Sequence, residues 1–207
     1  MPVDSSIKNL IFDLGGVILD LSVDDTLRSF STLSGIEKSK VEQLYASSPG
    51  FESYEKGEIS DDAFRDFVRN LYKIDASDEE LDSSWNAMLL GFPLKKLQLL
   101  ETLKTKYRVY LLSNTNNIHL HYINRTLLSK SIHPSLDDFF HRAFYSYKMK
   151  MRKPDEGIFN QVLEQENLLP EQTLFLDDNL SNVKGASKVG IKTVHVVTPD
   201  LIFDYFS

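Results

Sequence analysis

Three apolar runs in this chain end on residues able to do chemistry. IFDLGG carries Asp13 into Gly15 and Gly16, VYLLSN ends on Ser113 and Asn114, and TLFLDD ends on Asp177 and Asp178. Lys153 stands in MRKPD, just ahead of a helix start. Any one of these alone has an ordinary reading, since aspartate and serine open turns and lysine solvates surfaces. Their joint placement is what carries weight, because ligands bind beyond the carboxyl ends of the strands in open α/β sheets. Carboxylates brought face to face there repel unless a cation lies between them. With no cysteine in the chain and no histidine in these motifs, hard oxygen donors point to Mg²⁺. A lysine plus hydroxyl and amide donors around the same point would suit a phosphoryl group.

Aspartate pairs occur at 24–25, 61–62, 137–138 and 177–178. The first three adjoin helical patterns, where acidic residues favour the first turn. Only Asp177–Asp178 ends an apolar strand.

The elements that must position these residues can be read from periodicity. Leu10–Leu14, Val109–Leu112, Thr173–Leu176 and Thr193–Val197 are short and continuously apolar, as buried parallel strands are, with Ala143–Tyr147 a weaker fifth. Helical spacing follows Pro93 (Leu94, Leu97, Leu100, Leu103) and Pro154 (Ile158, Val162, Leu163), and another helix ends at Ala186 and Val189 before Gly190. Alternating strand and helix predict an open parallel α/β sheet. Between Leu21 and Gly91 nothing reads as strand. Ser77 with Glu80 has the form of a capping box, and Ser60 before two aspartates that of a second helix start. About seventy residues far exceed the ~12 a crossover needs. The segment is therefore expected to be a helical insertion.

Composition narrows the function. The chain has 207 residues and a net charge of -7, which argues against a nucleic-acid partner. Absence of cysteine excludes disulfides and thiol catalysis. The N-terminus lacks signal-peptide character and no run is long enough to span a bilayer, so a cytoplasmic protein without a membrane partner is expected.

Taken in order, these motifs resemble those of the haloacid dehalogenase superfamily. Asp13 matches the nucleophile of the first motif, Ser113 the second, Lys153 the third and Asp177–Asp178 the fourth. The resemblance implies a Rossmann-like parallel sheet core over 1–20 and 92–207 with an all-helical cap over 21–91. It also implies an aspartyl-phosphate intermediate and Mg²⁺ held by Asp13, the carbonyl of Gly15 and Asp178, with Asp177 outside them or bound through water. Lys153 would balance charge, Ser113 and Asn114 would orient substrate oxygens, and the partner would be a small phosphorylated metabolite.

One position departs from the pattern. Phosphatases of that superfamily usually carry a second aspartate two residues after the nucleophile, as proton donor and then base. Here that residue is Gly15. A branch resembling α-glucose-1-phosphate phosphatases has Asp-Leu-Gly-Asn there and shares GEIS and RKP, present here at 57–60 and 152–154. An anomeric oxygen leaves more readily than an ordinary alkoxide, so a sugar 1-phosphate would soften the loss. Asn116, His119, His121 and Glu55 are possible substitutes, none of which is assigned. A dehalogenase would leave Asp177–Asp178 idle, and a binding protein that had lost catalysis would not need both Asp13 and Lys153.

Overall fold

In the computed structural model, which describes residues 4–206, helices flank a central parallel sheet. Residues 1–3 and 207, part of the expected core range, lie outside the described residues. The strands are β1 (Asn9–Phe12), β2 (Asp20–Leu21), β3 (Leu89–Gly91), β4 (Arg108–Ser113), β5 (Arg142–Tyr145), β6 (Thr173–Asp177) and β7 (Lys192–His195). Helices α1 (Val23–Ser34), α2 (Lys38–Ser47), α3 (Gly50–Glu55), α4 (Asp61–Tyr72) and α5 (Asp78–Asn86) lie between β2 and β3. The later helices are α6 (Leu94–Lys104), α7 (Asn117–Tyr122), α8 (Ser146–Met149), α9 (Glu156–Glu166), α10 (Leu180–Lys188) and α11 (Leu201–Phe206).

The main sheet has the order β5-β4-β1-β6-β7, parallel throughout. Its side chains alternate between two cores, as a period of two requires. Leu10, Phe12, Val109, Leu111, Leu174 and Leu176 face one apolar cluster; Ile11, Tyr110, Leu112 and Phe175 face the other. The second cluster is closed by Ile158, Phe159 and Val162 of α9 and Ala186 of α10. The first runs without a break into Phe30, Phe51, Phe64 and Trp85 of the inserted helices. Both expected helix starts are present. The Ser77 hydroxyl accepts from Glu80 N–H at 3.3 Å while Glu80 accepts from Ser77 N–H at 2.9 Å, and the Ser60 hydroxyl accepts from Ala63 N–H at 3.2 Å.

Two features differ from the sequence reading. The segment expected to be free of strand opens and closes with β2 and β3, which pair antiparallel into a two-stranded ribbon. Strands of two and three residues are too short to leave a periodic signal. On α6, Leu94 is 68% exposed whereas Lys96 is fully buried. Burial of Lys96 is tolerable because its ammonium meets Asp20 Oδ1 of β2 at 3.0 Å.

Candidate active site

The site forms where β1, β4 and β6 end side by side. Phe12 is paired with Leu111 on one flank and Leu176 on the other, so the next residues arrive at the same edge. Asp13 stays on the ladder, its N–H donating to the Leu176 carbonyl at 2.9 Å. Ser113 is the last residue of β4 and Asp177 the last of β6, both buried.

Lys153 joins them. Its ammonium lies 2.6 Å from Asp13 Oδ1 and 2.7 Å from Asp177 Oδ2, and its side chain is 1% exposed. Burial works to lower its pKa, but Asp13 and Asp177 outweigh that effect and hold the amine protonated. Burial pushes the Asp13 carboxyl up to about 7 against the pull of Lys153, with Asp177 and Asp178 adding to the rise. Burial and Asp177 also raise Asp178. One ammonium among three carboxylates leaves a negative excess. An oxygen from each of Asp13, Asp177 and Asp178 lies within 4.8 Å of the others. That donor set, hard, anionic and short of positive charge, fits a divalent cation.

The two adjacent aspartates differ in what they are free to do. Asp177 is completely buried and already accepts from Lys153, from Asn179 N–H at 2.7 Å and from the Asn182 amide at 3.0 and 3.1 Å. Asp178 is exposed and lies against Gly16. Gly16 has φ +73°, and a Cβ there would clash with the Asp178 carboxylate, so glycine is required on both counts. At Gly15 a Cβ would stand 3.1 Å from Leu21 Cδ2. An apolar side chain thus flanks the position that the superfamily's second aspartate would take.

Asn114 is turned inward. Its amide donates to the Lys153 carbonyl and its Oδ1 accepts from Lys153 N–H, both at 2.9 Å, so it fixes the lysine's backbone on both sides. Of the four possible substitutes for the acid, His119 is buried, stacked on Trp85 with ring centroids 4.7 Å apart, and lowered to about 3 by burial. It is neutral at pH 7. Asn116 caps α7 and accepts from His119 N–H at 3.0 Å, and His121 is exposed. Glu55 is ion-paired to Arg152 at 2.9 Å. Sequence reasoning missed Asn182 and Ser146. Asn182 had a faint signal, since it falls in the first turn of α10 just after the aspartates.

The chain matches the model of the haloacid dehalogenase-like hydrolases over residues 7–190. It is 31% identical over 187 residues to a D-ribitol-5-phosphate phosphatase of Bacteroides thetaiotaomicron, covering 90% of each chain. A sesquiterpene phosphatase of Aspergillus oryzae is 27% identical over 194 residues, covering 93% of this chain and 91% of its own. Among solved structures, a HAD family enzyme of B. thetaiotaomicron in complex with magnesium and inorganic phosphate superposes with a TM-score of 0.84. Its identity is 37%, over 91% of this chain and 93% of that one. Among the described residues no helix is long and apolar enough to cross a membrane.

Proposed function

Because the chain belongs to the haloacid dehalogenase-like hydrolases, we propose that it is a Mg²⁺-dependent phosphatase of a small phosphorylated sugar or polyol, with Asp13 as nucleophile. The observation that carries the reading is Asp13, held by a buried lysine at 2.6 Å where two further aspartates converge. Asp13, Asp178 and the Gly15 carbonyl would hold Mg²⁺, which would supply positive charge to the phosphoryl oxygens. Lys153 keeps its proton and adds a fixed cation beside Asp13. An Asp13 oxygen bonds to phosphorus as the bond to the leaving oxygen breaks, and water then cleaves the acyl phosphate. Asp177 holds Lys153 in place, and Ser113 at the end of β4 faces the substrate.

No carboxylate at position 15 is available to protonate the departing oxygen. Such a group is worth about 10²- to 10⁴-fold, so leaving groups that need little protonation should do best. Phosphate release from D-ribitol 5-phosphate, glucose 6-phosphate and α-glucose 1-phosphate, with Mg²⁺ and with chelator, tests this. Metal-dependent release fastest on the 1-phosphate supports both the activity and the leaving-group argument. Faster release from ribitol 5-phosphate keeps the activity and discards that argument. No release from any of the three overturns the proposed substrate class.

The glycine turn gives a separate test. Gly16→Ala forces Asp178 away and imposes an unfavourable φ, so the half-saturating Mg²⁺ concentration is expected to rise about 10-fold or more. An unchanged magnesium titration would mean that Asp178 is not a ligand.

A further inference from the structure

The last residue of α3, Glu55, is tied to both loops that carry the site's polar residues. Its carbonyl accepts from the Ser146 hydroxyl at 2.6 Å, and that hydroxyl accepts in turn from Thr115 N–H at 2.9 Å. Ser146 is fully buried at the start of α8. Glu55's carboxylate meets the Arg152 guanidinium at 2.9 Å, and Glu52 meets the same group at 3.4 Å. Arg152 precedes Lys153, and Thr115 follows Asn114, whose amide brackets the Lys153 backbone. The links form a closed circuit: Glu55 to Ser146 to the Asn114–Thr115 loop, and Glu55 to Arg152 to Lys153.

The backbone around this point is equally close. Lys150 donates to the Gly57 carbonyl, and Gly57, at φ +64°, lies so near the Tyr147 carbonyl that any Cβ would clash with it. This corner of the helical insertion is seated on the segment leading into Lys153. Burial pushes the Glu55 carboxyl up and Arg152 pulls it back, within an ion pair whose side chains are 23% and 27% exposed.

We infer that Glu55 is a positioning residue: seated through Ser146 and Arg152, it sets where Lys153 stands against Asp13, so the inserted helices complete the site. The inference rests on the proposed phosphatase reading for its kinetic consequence and on geometry alone for its structural one. Small displacements of an aligned group cost up to about 10²-fold in rate. Glu55→Ala is therefore expected to lower kcat about 10- to 10²-fold with little change in KM. Glu55→Gln, which keeps the side chain's length, should recover part of the loss. Arg152→Ala, which also strips the Glu52 contact, should lose at least as much as Glu55→Ala, and the double variant should lose no more than Arg152→Ala alone.

Two readouts do not depend on turnover. The ¹⁵N ammonium resonance of Lys153 should shift in Glu55→Ala. The emission of Trp85, the chain's single tryptophan, which stacks on His119 of α7, should stay as in the parent, because the insertion remains docked. Shifted Lys153 resonance in a protein silent on every substrate would sustain the positioning role while discarding the phosphatase reading. Parental kcat together with an unmoved Lys153 resonance would overturn the inference. Loss of rate accompanied by a red-shifted Trp85 would overturn it too, as a plain packing defect. A basic or acidic limb erased from the pH profile equally in Gln and Ala would replace it with direct proton transfer by Glu55.

Discussion

Replacing Lys153 with methionine is expected to lower the unfolding free energy by about 3–5 kcal/mol, the usual cost of stripping one partner from a buried ion pair. Methionine fills a similar volume, so the loss is electrostatic rather than a cavity. It leaves Asp13 and Asp177, 8% and 0% exposed, facing each other without the ammonium that now touches both. Turnover should fall by about 10²- to 10³-fold or more, as for loss of a preorganised charge at a reacting group. Urea denaturation with the slope checked, beside phosphate release, measures both. Acid should restore part of the stability, since protonating Asp13 removes the repulsion. A variant with the parent's urea midpoint would mean that the carboxylates are relieved by something other than this lysine.

Asp13→Asn should behave in the opposite way on stability while being the most damaging to activity, by about 10⁴-fold or more. The metal-free cluster of Asp13, Asp177 and Lys153 carries one excess negative charge, and the amide removes it. The sign follows from the raised pKa of Asp13. Between the usual carboxylate value and about 7 the folded state binds more protons than the unfolded chain. Parent stability without metal should therefore fall as pH rises through that window. The asparagine variant lacks this loss and should melt above the parent at pH 8 in chelator. Added Mg²⁺ should stabilise the parent more than the variant, reversing or narrowing the order. Thermal melts of both proteins at pH 5 and pH 8, with and without Mg²⁺, test the pair of statements. A variant that melts below the parent at pH 8 in chelator would contradict the argument.

Much of the site could be read from sequence because its residues sit where patterns change. Asp13, Ser113 and Asp177 each end an apolar run, and a parallel sheet brings such ends to one edge whatever the loops do. The strands themselves were displaced by a residue or two: β1 spans Asn9–Phe12 against an expected Leu10–Leu14, and β7 Lys192–His195 against Thr193–Val197. Terminal residues depend on hydrogen bonds to neighbours that no single segment encodes. Lys153 was legible only through its motif, since a lysine in a loop has no period to betray it. The grip of the Asn114 amide on the Lys153 backbone, 39 residues away, leaves no local signal. Ser146 and the Glu55–Arg152 pair were invisible for the same reason, being joined across 91 and about as many residues. A buried lysine on α6 is contrary to its type, and only the approach of Asp20 explains it.

The order of strands has a further consequence. Ser113 and Asp177 end β4 and β6 and Asp13 directly follows β1, three strands each flanked on both sides, whereas Lys153 follows β5, an edge strand that among the described residues pairs with β4 alone. Edges open more readily than centres. A transient loosening of β5 and the segment after it would withdraw the ammonium and leave the carboxylates and most of the sheet in place. Catalytic competence and global cooperativity are then separable: the chain should pass through a folded but inert ensemble at denaturant concentrations below its main transition.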